Sequence, residues 1–169
     1  MASYKNMFGL WSNDSKLDEK LGLTEGQKKL VQNTWAIIKK DQVASGVAVM
    51  LAYFKKHPEY QQSFKPFKDM PIDELPGNKR FQAHCAGIIA TVSTVIDSLQ
   101  DFDLLVANIE IFTERHRKRG QKQKDFEDLK PVMAEVIREA IGDEYTPEVE
   151  EAWSKTLDVF FATVYANLS

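Results

Sequence analysis

The chain contains 169 residues, of which 43% are hydrophobic and 28% charged, the balance of one globular domain rather than of a disordered or fibrous protein. Its net charge of −3 argues against non-specific binding to nucleic acid or to an anionic membrane surface. The single cysteine, Cys85, excludes an intrachain disulfide and any zinc site built from cysteine pairs.

The sequence shows no sign of membrane insertion or export. Its longest uncharged stretch runs from Cys85 to Ile96, which is shorter than the roughly 20 apolar residues that a membrane span requires. The N-terminus has no charged start followed by an apolar run and a small-residue cleavage site. We therefore expect a cytoplasmic protein without a membrane span.

The first half of the chain predicts an extension, two helices and a loop. Residues 1–22 are polar with scattered aromatic residues, and we interpret them as an N-terminal extension of a domain covering residues 23–169. Thr24 followed by Gln27 is a capping-box pattern that opens the first helix. A second apolar stripe ends at Pro58, and the prolines and glycine of residues 65–77 predict a loop.

The second half predicts four more helices. One begins at Asn78, and the next runs from about Leu104 to a basic stretch before Gly120. The following stripe contains Pro131, which predicts a late start or a bend, and the last helix opens at Thr146 with a proline in its first position. No segment alternates with the period of a strand, so the prediction is an all-α domain of six substantial helices with one or two short ones.

Two of the three histidines fall on apolar helix faces. His84 lies between Phe81 and Ile88, and His116 lies one turn after Phe112. Either alone is typical of a buried, hydrogen-bonded histidine. As a pair on different helices they could face one metal ion. Two ligands are too few for catalytic zinc but sufficient for haem, whose macrocycle fills the other positions. We interpret His57, beside Pro58, as a surface residue.

Several segments together resemble the globin family. The resemblance extends from about Leu23 to Leu168. Within the family, the chain looks like the intracellular invertebrate globins and is similar to neuroglobin in layout. The matching positions, in chain order, are Trp35, residues 57–67, residues 81–84, residues 116–120, and residues 146–153.

The resemblance implies a globin fold of six to eight helices around haem b, iron protoporphyrin IX. It makes His116 the proximal iron ligand, with its other ring N–H held by a backbone carbonyl of the same helix, and His84 the distal histidine. It also implies a mostly apolar cofactor-binding wall, formed by Met50, Phe54, Phe64, Ile88, Phe112, Phe126 and Leu129.

Further positions follow from the same resemblance. Gly46 falls where two globin helices cross closely, opposite Cys85, which we interpret as a buried, inert thiol. Gln121 stands where a valine or isoleucine is common, and Gly87 where many globins place a polar or basic residue near a haem propionate. Arg80 and Arg115 are the candidate propionate partners.

Three functions remain open from the sequence. The first is reversible O2 binding for storage, transport or sensing, with NO and CO as further ligands. The second is a six-coordinate, bis-histidyl globin with a redox role in electron transfer or in nitric oxide or nitrite chemistry, which would need a separate reductase. The third is a haem-free helical interaction module. The pattern favours an oxygen-binding protein over a dedicated enzyme, without a nucleic-acid partner, as a monomer or weak homodimer.

Overall fold

The computed structural model describes residues 14–168, which form six α-helices joined by short connections. The helices are α1 (Glu25–Ile38), α2 (Gln42–Lys56), α3 (Lys79–Asp97), α4 (Phe102–Lys118), α5 (Gln123–Ile141) and α6 (Pro147–Leu168). Short 3-10 segments cover Lys39–Asp41, Pro58–Ser63, Leu75–Gly77 and Gly142–Glu144. The prediction of an all-α domain with six substantial helices is confirmed. Within residues 14–168, no helix is both long and apolar enough to cross a bilayer.

Side-chain caps explain where the helices begin. Thr24 and Gln27 form the predicted capping box of α1, and the Asn78 side chain accepts a hydrogen bond from the backbone N–H of Phe81. Asp101 caps α4 by accepting from the N–H of Leu104, so this helix begins slightly earlier than predicted. Each cap satisfies a backbone donor that the first helical turn leaves without a partner.

Pro131 lies inside α5 rather than at its start. The helix begins at Gln123 and continues to Ile141, so the alternative of a late start is wrong. Proline removes one backbone hydrogen bond from a helix. Because Pro131 is exposed, water can reach the carbonyl group that has lost its partner.

The segment before α1 packs against the helical body. Strands β1 (Leu17–Asp18) and β2 (Leu23–Thr24) pair antiparallel, and two residues per strand are too few to show an alternating pattern in sequence. Lys28 is buried, and its Nζ lies 2.7 Å from an Asp18 carboxylate oxygen and 3.2 Å from one of Glu25. Residues 1–13 of the predicted extension, with Tyr4, Phe8 and Trp11, lie outside the described residues.

Two tryptophans join three helices in the core. Trp35 of α1 and Trp153 of α6 have ring centroids 5.9 Å apart. The Trp153 indole N–H donates to the Thr34 hydroxyl over 2.9 Å, and the Trp35 indole N–H donates to the Ser93 hydroxyl of α3 over 2.9 Å. Both indole donors are therefore satisfied inside the core, where an unmade hydrogen bond is costly.

Helices α2 and α3 cross with their backbones in contact, as the sequence predicts for Gly46 and Cys85. A Cβ atom built on Gly46 would overlap the carbonyl group of Cys85. Cys85 is fully buried, and burial raises the pKa of its thiol to about 12, which suppresses the reactive thiolate. The expectation of a buried, inert thiol agrees with this environment.

We predict that Gly46→Ala destabilises the protein, because its new methyl group must push the two helices apart. Overpacking of this kind costs about 1–3 kcal/mol or more. Gly87→Ala is the matched control on α3. A Cβ there meets nothing within 4 Å, so this change should stabilise the helix by up to about 1 kcal/mol. Urea unfolding followed by circular dichroism measures both effects, and an unchanged midpoint for Gly46→Ala would contradict the close crossing.

Candidate haem site

His116 projects from the last turn of α4 with one ring nitrogen engaged. Its Nδ1 lies 2.8 Å from the carbonyl oxygen of Phe112, one turn earlier. A carbonyl oxygen only accepts, so Nδ1 carries the proton and donates it. The lone pair on Nε2 is therefore available to a metal, and the hydrogen bond fixes both the tautomer and the ring orientation. The structure thus contains the backbone hydrogen bond that the globin resemblance implies.

Aromatic rings surround this histidine. The His116 ring centroid lies 4.0 Å from that of Phe112 and 5.5 Å from that of Phe126 on α5. Phe160 of α6 packs in turn on Phe112, at 5.6 Å. His116 itself is only half-buried, so one side of its ring remains open beyond this aromatic group.

His84 of α3 is also flanked by aromatic rings. Its ring centroid lies 5.5 Å from that of Phe64 and 6.2 Å from that of Phe67. Phe67 packs edge-on against the fully buried Phe81, which holds this part of the loop on the helix. His84 is half-buried, and neither of its ring nitrogens makes a hydrogen bond within residues 14–168. Both nitrogens are therefore available to a ligand.

The two histidines share one electrostatic environment. Burial lowers the pKa of both His84 and His116, and the positive charge of Arg119 lowers both further. The pKa of His116 is also lowered by charge on His84, so the two imidazoles lie within electrostatic range of each other. A lowered pKa keeps an imidazole neutral near pH 7, and the neutral form is the one that binds metals.

Some of the other predicted pocket residues lie near the aromatic rings around His84, and others lie near His116. Phe54 of α2 is buried and contacts Phe64 edge-on, with ring centroids 5.1 Å apart. Phe112 and Phe126 lie beside His116, as described above. Met50 is buried on α2, and Leu129 is half-buried on α5 and packs against the core.

Ile88 lies one turn after His84 and also lines a separate apolar cavity. This cavity of about 240 Å³ lies between α1, α2, α3 and α5, and its walls include Trp35, Val49 and Met133. Neither His84 nor His116 contributes to it.

The interpretation of His57 as a plain surface residue needs correction. Its side chain is only 22% exposed, and its ring packs against Tyr53 at 5.9 Å and Tyr60 at 5.7 Å. Its Nδ1 lies 3.7 Å from a carboxylate oxygen of Glu59. The corner at Pro58 causes this arrangement, because it folds the following residues back onto the end of α2.

The donor set fits haem better than a metal bound by protein alone. No group of three or more metal-binding side chains occurs within residues 14–168. Two neutral imidazoles on separate helices, each flanked by aromatic rings, suit a flat apolar cofactor that brings its own four ligands. The side-chain oxygen of Gln121, five residues after His116, is buried without a hydrogen-bond partner in the described chain.

Comparisons with known proteins show the family to which the chain belongs. The globin family model matches residues 47–164. Globin CTT-IV of Chironomus thummi thummi is 29% identical, with 86% of this chain and 90% of that protein covered. Cytoglobin-1 of Danio rerio is 27% identical, with 82% of each chain covered. A solved structure of Drosophila melanogaster hexa-coordinate hemoglobin superposes with a TM-score of 0.79 at 25% identity, over 85% of this chain and 94% of that one.

The chain belongs to the globin family. It is a haem-binding globin, because membership of the family implies a haem cofactor and diatomic gases as ligands.

We predict that Arg119→Gln raises the pKa of both His84 and His116, because removing a nearby positive charge makes protonation of each imidazole easier. Histidine proton titration by NMR on the haem-free chain measures both values. Arg117→Gln is the matched control, since its charge contributes to neither histidine shift. Equal effects of the two variants would contradict the assignment of these shifts to the charge of Arg119.

Proposed function

We propose that the chain binds O2 reversibly at a haem b held by His116, with His84 on the opposite face. Haem supplies an iron centre that binds diatomic gases. The observation that carries the proposal is the hydrogen bond from His116 Nδ1 to the Phe112 carbonyl, which directs the Nε2 lone pair away from the helix. This arrangement supports His116 as the proximal ligand.

His84 has the chemistry of a distal hydrogen-bond donor. It is neutral near pH 7 because burial lowers its pKa, so one ring nitrogen carries a proton and the other does not. Its N–H can donate to a diatomic ligand that carries partial negative charge, an interaction worth about 1.5–3 kcal/mol. Contacts with Phe64 and Phe67 hold the ring in place for this role. NO and CO would enter the same site.

The apolar side chains around the histidines would form the walls of the pocket and exclude water. We assign the haem-stacking role to Phe64 and the covering of the distal side to Met50 and Ile88. The remaining wall residues are Phe54, Phe112, Phe126 and Leu129. Excluding water strengthens the hydrogen bond from His84 and shields the iron from side reactions. The corresponding physiological role is O2 storage, transport or sensing in the cytoplasm by a monomer or weak homodimer.

A second candidate is a six-coordinate globin in which His84 binds the iron at rest. One observation favours it: His84 has no hydrogen-bond partner in the described chain, so nothing in the protein competes for its free nitrogen. The similar Drosophila melanogaster hemoglobin is described as hexa-coordinate. A protein of this kind would suit electron transfer or nitric oxide or nitrite chemistry, with electrons from a separate reductase.

We predict that His116→Ala abolishes stable haem retention, because it removes the imidazole proposed to hold the iron. The measurement is the ratio of haem absorbance to protein absorbance after size-exclusion chromatography. His57→Ala is the control histidine variant, away from the proposed pocket, and should retain a full complement of haem. A His116→Ala protein with normal haem content would overturn the proximal assignment.

His84→Leu separates the two candidates. If His84 donates a hydrogen bond, the variant should release O2 about 10- to 100-fold faster, which corresponds to losing about 1.5–3 kcal/mol. If His84 binds the iron at rest, the deoxygenated ferrous spectrum should change from six-coordinate to five-coordinate. Stopped-flow kinetics and anaerobic absorption spectra give these two readouts. A variant identical to the wild type in both would remove His84 from the site.

A further inference from the structure

The loop that follows α2 carries two aromatic side chains that contact His84. The ring centroids of Phe64 and Phe67 lie 5.5 Å and 6.2 Å from that of His84. The backbone here forms successive turns, in which the Phe67 N–H donates to the Phe64 carbonyl over 2.7 Å and the Met70 N–H donates to the Phe67 carbonyl over 3.1 Å. Each of these bonds spans only three residues. A contact of longer range comes from the side chain of Gln61.

Gln61 is buried and donates two hydrogen bonds into this loop. Its Nε2 lies 2.8 Å from the carbonyl oxygen of Phe67 and 2.8 Å from that of Met70. Carbonyl oxygens only accept, so the NH2 end of the amide faces them and has one proton for each. The backbone carbonyl of Gln61 also accepts from the N–H of Phe64 over 3.0 Å. One residue therefore bonds to three points of the loop that contacts His84.

The segment that carries Gln61 is itself attached to the start of α5. The hydroxyl of Tyr60 donates to an Asp128 carboxylate oxygen over 2.6 Å, and its ring stacks on that of Tyr53 with centroids 4.9 Å apart. The hydroxyl of Tyr53 donates to the backbone carbonyl of Asp125 over 2.9 Å. The position of Gln61 is thus fixed from the helical body, and its amide relates the loop to that body.

Gln62 provides a natural comparison within the same segment. Its Nε2 donates to the carbonyl oxygen of Lys68 over 2.9 Å, but Gln62 is exposed. Water can replace an exposed hydrogen bond, whereas losing a buried donor leaves its acceptors without a partner at a larger cost. The loop therefore depends more on Gln61 than on Gln62.

We propose that Gln61 is a positioning residue for the distal histidine. Its two amide hydrogen bonds hold Phe64 and Phe67 against His84, and the two rings confine the imidazole to one place. The inference rests on the proposed haem function. A hydrogen bond weakens steeply as its angle falls below about 120°, so an imidazole that serves a bound ligand must be held in orientation as well as in distance. Gln61 supplies that restraint through the two phenylalanine rings.

The test compares Gln61→Met, which keeps the length of the side chain and removes both donated hydrogen bonds, with the matched control Gln62→Met. Gln61→Met holoprotein should release O2 about 2- to 10-fold faster than the wild type, the scale of one weakened hydrogen bond. The infrared stretching bands of bound CO, which respond to polar groups facing the ligand, should also change. Gln62→Met should match the wild type in both measurements, and a Gln61→Met protein that also matches overturns the proposal.

A double-mutant cycle with His84→Leu distinguishes positioning of the imidazole from a general effect on the fold. Without the imidazole there is nothing to position, so adding Gln61→Met to His84→Leu should leave the O2 release rate unchanged. If Gln61→Met accelerates release equally with and without His84, the residue acts through the fold and the proposal is overturned. Gln61→Leu, which loses the same donors, is the second variant if Gln61→Met does not fold.

NMR of the haem-free full chain separates this proposal from the haem function. Proton contacts between the rings of Phe67 and His84 should weaken in Gln61→Met and persist in Gln62→Met. Contacts that persist in both variants overturn the role of Gln61 and leave the haem function standing. Failure of the wild type to take up haem overturns the proposed function itself.

Discussion

The close crossing of α2 and α3 is the constraint on which the position of His84, the proposed distal histidine, depends. Gly46 brings the backbone of α2 against the carbonyl group of Cys85, and a larger residue would separate the helices. His84 precedes Cys85 directly, so its position follows from this contact. Phe81 and Cys85 are both fully buried one turn apart, which fixes the rotation of α3 about its axis. The half-buried flank that carries His84 then faces Phe64 and Phe67.

The position of His116, the proposed proximal ligand, depends instead on how α4 packs in the core. The Asp101 cap starts α4, and buried Leu105 and Ile109 hold this helix in the core. His116 lies two turns after Ile109, close to the same side of the helix at 3.6 residues per turn. The hydrogen bond to the Phe112 carbonyl then sets the ring itself. Packing thus places the imidazole, and one backbone acceptor decides which nitrogen remains for a ligand.

Much of this arrangement is readable from sequence, because it rests on local chemistry and periodic burial. The caps at Thr24 and Asn78 predict helix starts, and the apolar stripes predict six helices. The resemblance to globins supplies the pairing of Gly46 with Cys85 and the backbone hydrogen bond of His116. These features depend on residues at fixed spacing within helices, where the spacing along the chain determines which side chains share a helix face.

The features that sequence does not predict depend on irregular backbone. Phe67 contacts His84, but it lies in a loop without any period to give its direction. The end of α4 carries several basic residues, and no period in the sequence shows that the charge of Arg119 acts on both histidines whereas that of Arg115 acts on His116 alone. His57 packs on two tyrosines because of the corner at Pro58, a contact between segments that no single-helix pattern contains.

The absorption spectrum of the wild-type protein, produced with ample haem, tests the central claim most directly. The measurement is made on the reduced protein under nitrogen, then under O2, then again under nitrogen. If His84 and His116 enclose a haem that binds O2 reversibly, a Soret band is present, shifts on exposure to O2 and returns when O2 is removed. A protein without a Soret band, or one that is only oxidised by O2 and never returns, would contradict the account.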